Sequence, residues 1–299
     1  MTALSRMRHR LPGIERPVFV IAPPRSGSTL LFESLLQFDE LTGLSHREAE
    51  PVWWWTLPYA RRRDLSDAVM LAELNRLRRS ELRALLYAFA VAGDSRTWPG
   101  RIGSLLRAGT IRYVDKTISN CFHLDVIASM FPDATFIYLI REPRANIASM
   151  IDGWPELKRF GKEALTPYIP PAGSSVPHWT FPAPPGWRSV LDRPLPEICA
   201  WSWQQHVQAM MDFRDRQGGG IVVRYEDLVT HPLETTDKLA QELDLRITDR
   251  VKAYVQNPPL SRTTISPPSP RKWKDSHGQE IAEVLPLIRP TVASLGYDV

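Results

Sequence analysis

The amino-acid sequence predicts an α/β fold with three layers, in which helices flank a central, mostly parallel sheet. Strand and helix signals alternate along the chain, and this alternation is typical of parallel strands joined by helices. The first strong strand signal, at 18–22, is an uninterrupted apolar run, as expected of a strand covered on both faces. A chain of 299 residues, of which 43% are hydrophobic, is long enough to build one such core. We therefore expect a single domain over 1–299, in which 1–16 form an N-terminal extension.

The elements of the N-terminal half follow from their stop signals. After the first strand, a turn rich in Pro, Gly and Ser leads into a helix. A long helical pattern ends at Gly93, a residue type that commonly stops helices, and a shorter one ends before Pro132. In order, the pattern predicts a strand at 18–22, a helix from Thr29, a helix over 64–92, a strand at 111–114 and a helix over 120–131.

The C-terminal half continues the alternation. Pro143 is well placed in the first turn of a helix, and the glycine run at 218–220 precedes an apolar strand. Trp201 and Trp203 are expected to anchor the helix that follows them. Two proline-rich segments, at 155–196 and 258–270, resist assignment. In order, we expect a strand at 135–140, a helix at 143–151, a strand at 221–224, and helices near 234–244, 247–256 and 276–289.

Composition argues against several classes of protein. The longest apolar run, from Ala84 to Ala92, is too short to span a membrane, and the first 17 residues lack the apolar segment of a secretory leader. Two cysteines, Cys121 and Cys199, cannot by themselves build a disulfide scaffold or a zinc site. A net charge of +4 without dense basic runs does not indicate nucleic-acid binding. The sequence is typical of a soluble protein of the reducing cytoplasm.

The turn after the first strand is a candidate anion site. It carries Ser and Thr hydroxyls at a helix N-terminus, where backbone N–H groups also point outward. Gly27 permits a close approach of the backbone, and Arg25 adds a forked cation. The turn is neither a Walker A loop nor a GxGxxG fingerprint, since the chain contains neither pattern. The ordinary alternative is a helix that is merely capped by Ser and Thr.

A second candidate lies at 141–149. Arg141 follows the strand at 135–140, and the carboxyl ends of strands are where open α/β sheets bind ligands. Ser149 lies eight residues later, about two turns into the next helix. The alternative is that Arg141 satisfies backbone groups while Ser149 packs inside the helix.

In combination, these motifs resemble the sulfotransferases that use 3′-phosphoadenosine 5′-phosphosulfate (PAPS), and in particular their bacterial and carbohydrate or Golgi-type branch. PPRSGSTLL is similar to the family's 5′-phosphosulfate loop, and FIYLIREPRANIASM to its 3′-phosphate motif. GIVVRYEDL and RKWK resemble later segments of the family. The resemblance implies a P-loop-like three-layer fold and a donor site formed by Arg25, Ser26, Gly27, Ser28, Thr29, Leu30, Arg141, Ser149, Tyr225, Arg271, Lys272 and Trp273.

The resemblance also implies the chemistry. A sulfuryl group passes from PAPS to an acceptor hydroxyl of a sugar, lipid or other small alcohol, leaving adenosine 3′,5′-bisphosphate. Negative charge develops on the leaving phosphate, so fixed cations are needed there, and Arg25 and Lys116 suit that role. No metal is required. On the same basis, the Pro/Trp-rich segment 153–196 is expected to be a lid or an acceptor loop.

The general base is less clearly marked. Cytosolic relatives carry a histidine two residues after the corresponding lysine, whereas this chain has Ile118. The stretch SHREAEP after the first helix supplies alternatives, in the order Glu50, Glu48 and His46. Trp53, within a run of three tryptophans, lines a pocket or packs in the core.

Two other functions remain open from the sequence. One is a Mg²⁺-dependent, P-loop-like kinase, against which the missing Walker lysine counts. The other is a non-catalytic protein that binds adenosine bisphosphate, which the missing histidine leaves possible. The sequence indicates a small-molecule partner, with neither nucleic acid nor a membrane span, and does not reveal an oligomeric state.

Overall fold

The computed structural model describes residues 13–44, 48–49, 52–53, 66–92, 109–160, 170–261, 263–265 and 272–298. Within them, a five-stranded sheet has the order β3–β5–β2–β6–β7, and every neighbouring pair is parallel. A separate parallel pair joins β1 to β4. The strands are β1 Gly13–Ile14, β2 Val18–Ile21, β3 Thr42–Gly43, β4 Thr110–Ile111, β5 Tyr113–Asp115, β6 Thr135–Ile140 and β7 Ile221–Arg224.

Helices cover both faces of this sheet. Short 3₁₀ helices lie at Leu71–Glu73, Ile118–Phe122 and Trp187–Val190. The α-helices of the described residues are α1 Ser28–Leu35, α2 Arg76–Ala92, α3 Leu124–Met130, α4 Pro143–Gly153, α5 Leu157–Phe160, α6 Leu195–Arg216, α7 Tyr225–Thr230, α8 Pro232–Leu243, α9 Asp249–Gln256 and α10 Lys272–Ser294.

The sheet separates two apolar cores because successive side chains of a strand point to opposite faces. On β2, Val18 and Val20 join one core with residues of α1, α8 and α9. Phe19 and Ile21 join the larger core, to which α2, α3, α4, α6 and α10 contribute. All four strand residues are buried, which confirms the apolar run as a central strand and the three-layer α/β architecture.

Three sequence expectations were wrong in their boundaries. The helix expected over 64–92 begins at Arg76, because the Asn75 side chain accepts the Arg78 N–H (2.9 Å), as a helix N-cap does. Residues 66–70 lie outside any helix, and 64–65 lie outside the described residues. The strand expected at 111–114 is two short strands on either side of Arg112.

The helix expected over 120–131 is also interrupted. A 3₁₀ helix ends at Phe122, and α3 begins after His123, whose φ of −122° is not helical. The ring of His123 contacts the Asp67 carbonyl oxygen (2.5 Å), so a long-range contact fixes the break. Trp201 and Trp203, expected to precede a helix, lie inside α6.

The parallel arrangement brings several strand ends to one edge of the sheet. The carboxyl ends of β2, β5, β6 and β7 lead directly into Ala22, Lys116, Arg141 and Tyr225. This edge is where open α/β sheets place ligands, and it contains most of the residues that the sequence singled out.

Candidate active site

The loop between β2 and α1 has the backbone of an anion-binding turn. Gly27 caps α1 with a φ of 94°, and Arg25 also has a positive φ, of 65°. Such a value is uncommon for a residue other than glycine and is often found at functional sites. Ser26 and Ser28 are buried, and the Ser26 hydroxyl has no hydrogen-bond partner among the described residues. The loop therefore offers a helix N-terminus together with a buried hydroxyl.

Glycine at position 27 is required by packing as well as by its φ. A Cβ atom added there would lie 2.3 Å from Cδ2 of Tyr225, which is far inside van der Waals contact. Tyr225, at the end of β7, thus packs its ring directly on the loop. Tyr225 therefore lies beside Gly27, although it is 198 positions further along the chain.

The Arg25 side chain links the loop to two distant segments. Its Nε donates to the hydroxyl (3.3 Å) and carbonyl (3.4 Å) of Ser149, and its Nη1 donates to the Thr263 carbonyl (2.7 Å). The guanidinium also lies 4.4 Å from the ring centroid of Phe160. Burial and the nearby positive charge of Arg141 lower the pKa of Arg25 to about 10.

Arg141 lies directly behind the same loop. Its Nη1 donates to the Arg25 carbonyl (2.9 Å), and its guanidinium carbon lies 4.7 Å from the Tyr225 ring centroid. Burial lowers the pKa of Arg141 as well, although Tyr225 and Glu226 act in the opposite direction. No carboxylate of the described residues lies within ion-pair distance of Arg25 or Arg141.

Helix α4 carries the polar groups that face the loop. Glu142 caps it by accepting the Ala145 N–H (2.8 Å), and Asn146 donates to the Pro24 carbonyl (2.7 Å). Asn146 is fully buried, so this bond fastens the loop to the helix. Ser149, one turn further along α4, then meets Arg25. The structure thus brings together Arg25, Arg141 and Ser149.

A second charged group lies at the end of β5. The ammonium of Lys116 is 2.5 Å from a carboxylate oxygen of Glu48, and the other oxygen of Glu48 accepts the Ile118 N–H (3.4 Å). The Lys116 side chain is 10% exposed and that of Glu48 is 30% exposed. Lys116 is therefore paired with Glu48, and not with its neighbour Asp115.

The start of α10 is attached to the end of α4. Lys272 (2.8 Å) and His277 (2.9 Å) each contact one carboxylate oxygen of Asp152. Burial opposes the charged form of His277, but its bonds to Asp152 and Glu280 prevail and raise the pKa of His277. The ring of Trp273 lies under the guanidinium of Arg144, at 5.2 Å. Lys272 and Trp273 therefore flank α4 near Ser149.

The residues that the sequence singled out are not all among those that the structure describes. Glu50, His46 and Arg271 lie outside the described residues. Thr29 and Leu30 lie in the first turn of α1, where the Thr29 hydroxyl receives a bond from Thr263 (3.4 Å).

Four further residues contact the site although the sequence did not single them out: Asn146, Asp152, Phe160 and Thr263. Asn146 and Asp152 lie on α4, which begins two residues after Arg141, so their positions five and eleven residues beyond Arg141 could have indicated them. Thr263 touches the site only through its carbonyl and hydroxyl groups, and nothing in the surrounding irregular sequence marks it.

Aromatic side chains pack beside this site. Trp154, Trp179, Phe181 and Trp187 are buried in the larger core, with neighbouring rings about 5–6 Å apart. Phe160 connects this group to Arg25. The described part of the proline-rich segment is thus packed against the core. Trp53 is also buried, against the His123 ring.

Two further observations concern metals and membranes. No group of three or more His, Cys, Asp and Glu side chains in the described parts of the chain is arranged to hold a metal ion. Of the helices the structure describes, none combines the length and the apolar character needed to cross a bilayer.

Comparison with known proteins gives a family and a fold. A model of the sulfotransferase family matches residues 17–166. The crystal structure of sulfotransferase STF9 from Mycobacterium avium is similar with a TM-score of 0.51 and 14% identity, over 96% of this chain and 78% of that chain. The sulfotransferase domain from the curacin biosynthetic pathway gives a TM-score of 0.49 and 16% identity, over 97% and 99%. No curated protein matches the sequence.

Proposed function

This chain belongs to the sulfotransferase family, and from that premise we propose that it moves the sulfuryl group of PAPS to the hydroxyl of a small acceptor, such as a sugar, a lipid or another alcohol. Arg25, where cytosolic relatives carry lysine, supports placement in the bacterial or carbohydrate-type branch. The buried thiols of Cys121 and Cys199 suit a reducing cytoplasm.

The observation that carries the proposal is the meeting of two cations and one hydroxyl around the loop. Arg25, Arg141 and Ser149 come from three elements, and their side chains converge where β2, β6 and α4 meet. The two buried guanidinium groups repel each other, and an anion placed between the loop N–H groups and these cations relieves that repulsion. We assign the 5′-phosphosulfate of the nucleotide to the loop and the 3′-phosphate to Arg141 and Ser149, both of which contact Arg25 of the loop.

The residues at the end of β5 supply the second half of the chemistry. As the acceptor oxygen bonds to sulfur, the bond from sulfur to the phosphate oxygen breaks, and negative charge grows on that oxygen. Lys116 and Arg25 stabilise this charge. The proton of the acceptor hydroxyl passes to a carboxylate, for which Glu48 lies beside Lys116 and Glu50 is the other candidate.

The first experiment is a calorimetric titration with adenosine 3′,5′-bisphosphate. Adenosine 5′-phosphate and ATP with Mg²⁺ are the controls. We expect binding that depends on the 3′-phosphate. A preference for ATP with Mg²⁺ would instead support a kinase. Binding without turnover of PAPS across a broad panel of alcohols would support a non-catalytic nucleotide-binding protein.

Replacing the cation behind the loop tests the 3′-phosphate assignment. We expect Arg141→Ala to weaken adenosine 3′,5′-bisphosphate by about 30- to 1000-fold, because a buried, charge-assisted contact is worth about 2–4 kcal/mol. Adenosine 5′-phosphate should lose less than about tenfold, since it lacks the 3′ group. Arg216→Ala, at an exposed arginine paired with Asp125, is the matched control. Equal losses for both nucleotides would contradict the assignment.

Two conservative variants identify the base. We expect Glu48→Gln or Glu50→Gln, whichever removes the base, to slow PAPS turnover by about 10²- to 10⁴-fold, with the other variant close to wild type. The measurement is the release of adenosine 3′,5′-bisphosphate in the presence of small alcohols. Normal rates in both variants would exclude both carboxylates as the base and leave His46 as the candidate of this segment.

A further inference from the structure

The segment that carries Glu48 is attached to the end of β5 by one side chain. The hydroxyl of Thr117 accepts the backbone N–H of Ala49 at 2.7 Å, across a separation of 68 residues in sequence. Thr117 and Ala49 are both buried, so water does not compete for this bond. Because Ala49 directly follows Glu48, the bond fixes the backbone beside that carboxylate.

The same hydroxyl is oriented by a buried carboxylate. Thr117 donates its hydroxyl proton to Asp115 (3.1 Å), and the Thr117 N–H also points at Asp115 (3.3 Å). A hydroxyl has one proton to donate, so donation to Asp115 leaves its lone pairs free to accept the Ala49 N–H. Asn120 (2.6 Å) and Tyr113 (3.3 Å) also donate to Asp115, which holds the carboxylate in place.

These contacts surround the ion pair of the site. Lys116 lies between Asp115 and Thr117 in the chain, and its ammonium meets Glu48. The hydrogen bonds that run from Asp115 through Thr117 to Ala49, which we call the strut, therefore attach both partners of the ion pair to one turn at the end of β5. Without the Thr117 hydroxyl, the buried Ala49 N–H has no acceptor among the residues that the structure describes, and its segment loses this attachment.

We propose that Thr117 is a positioning residue, which uses its hydroxyl, oriented by Asp115, to hold Glu48 opposite Lys116. The inference rests on the proposed function, in which Glu48 is one of the candidate carboxylates for proton transfer and Lys116 stabilises the leaving charge. Thr117 is buried and its hydroxyl bonds only to Asp115 and Ala49 among the described residues, so we assign it no contact with the donor or the acceptor. A small displacement of a reacting group can slow a reaction by about 100-fold, so the strut affects the rate and leaves nucleotide binding intact.

The test compares Thr117→Val, which keeps the shape and removes the hydroxyl, with Thr117→Ser, which keeps the hydroxyl. Thr291→Val is the matched control, since Thr291 is a buried threonine on α10 that accepts a bond from Gln204 (2.9 Å). Three quantities are measured: amide exchange at Ala49, affinity for adenosine 3′,5′-bisphosphate, and release of that nucleotide from PAPS with small alcohols.

We expect Thr117→Val to accelerate exchange at Ala49 by at least about tenfold and to slow turnover by about 10- to 100-fold. Nucleotide affinity should stay within about threefold of wild type. In Thr117→Ser, the exchange at Ala49 and the turnover should both be close to wild type. In a Glu48→Gln background, Thr117→Val should slow turnover by less than about threefold, because the two residues act through one interaction.

Three results would overturn the inference: unchanged exchange at Ala49, unchanged turnover, or an equal loss from Thr117→Val with and without Glu48. A wild-type protein that does not bind adenosine 3′,5′-bisphosphate would instead refute the proposed function, while the exchange at Ala49 still reports whether the strut exists. If Thr117→Val does not fold, Thr117→Cys provides a side chain of similar size that accepts hydrogen bonds weakly.

Discussion

The two charged regions at the carboxyl edge of the sheet are built in opposite ways. At the loop after β2, Arg25 and Arg141 contact carbonyl groups, a hydroxyl and aromatic rings. At the end of β5, Lys116 is directly neutralised by Glu48. One region therefore holds buried positive charge without a carboxylate partner in the described chain, whereas the other holds a balanced pair.

The difference indicates a division of labour. Burial lowers the pKa of both guanidinium groups, and the charge of Arg141 lowers that of Arg25 further, so an incoming anion is favoured beside them. A balanced pair of lysine and carboxylate has no such preference. Under the proposed function it provides instead a cation for a leaving group beside an acceptor for a proton. We expect the first region to determine affinity and the second to determine rate.

The largest effect should separate these two roles. Lys116→Met should slow PAPS turnover by about 10²- to 10³-fold, because one stabilising charge at the leaving oxygen is lost, with affinity for adenosine 3′,5′-bisphosphate within about threefold. Arg25→Met should instead weaken that affinity by at least about tenfold. The measurements are single-turnover kinetics and calorimetry.

The control for this pair is Lys238→Met, at an exposed lysine on α8 that is paired with Glu234. It should leave affinity and rate unchanged. A loss of affinity in Lys116→Met as large as that in Arg25→Met would show that the two regions act as one site.

A smaller effect should come from the backbone of the loop. Gly27→Ala introduces a positive-φ alanine and forces the Tyr225 ring to move, so we expect the free energy of unfolding to fall by about 2–3 kcal/mol, together with nucleotide affinity. Gly186→Ala is the matched control, because Gly186 also has a positive φ, of 81°, but open space around it. It should cost about 1 kcal/mol and leave affinity unchanged. Both are measured by urea denaturation and calorimetry.

Equal effects of the two glycine variants would mean that Tyr225 does not restrict the loop. In that case the closeness of the loop and β7 would be incidental to binding.

The smallest effect concerns the attachment of the start of α10 to Asp152 at the end of α4. The pKa of His277 is raised above its ordinary value of 6.5, so its contribution is complete below pH 6.5 and is lost as the pH rises through the raised pKa. We expect wild type to lose about 1 kcal/mol or less of unfolding free energy over that range, and His277→Gln to show a flatter profile.

The opposite limb of this profile belongs to Asp152. Burial opposes its ionised form, but bonds from Lys272 and His277 lower the pKa of Asp152, so its contribution is lost as the pH falls through that lowered value. Urea denaturation across the pH range measures both limbs. The control is His231→Gln, at an exposed histidine outside this cluster. A flat wild-type profile above pH 6.5 would exclude a stabilising role for His277.

The central strands could be read from the sequence because their pattern depends on burial alone. The apolar runs predicted as strands at 18–22, 135–140 and 221–224 are strands of the sheet, the first of them ending one residue earlier, at Ile21. The helix boundaries were less accurate where side chains bond to nearby backbone, as Asn75 does, or where a distant group intervenes, as the Asp67 carbonyl does at His123.

The candidate site shows the same difference between features set by a local pattern and features set by contacts between distant segments. The loop after β2 and Arg141 lie at one edge of the sheet, as the sequence predicted, because each follows a strand and strand ends share that edge, and their binding of an anion stays a prediction. The ion pair of Lys116 with Glu48 was not found, although both residues were singled out, because the sequence does not show that their segments meet. The strut formed by Thr117 gave no signal at all, since a threonine beside a lysine is unremarkable in any loop.

The sequence by itself determined the strands, the loop with its Gly27 and Arg25, and the kinds of charge available at the edge of the sheet. These depend on hydrophobic pattern, backbone freedom and chemical type, which are local properties. Only the tertiary structure decided that Arg25 meets Ser149 and Thr263, and that Lys116 meets Glu48. Those contacts depend on the strand order, which inserts β5 between β3 and β2 and brings together segments 68 residues apart. Distances of that kind are set by the packing of the whole sheet, and no local pattern records them.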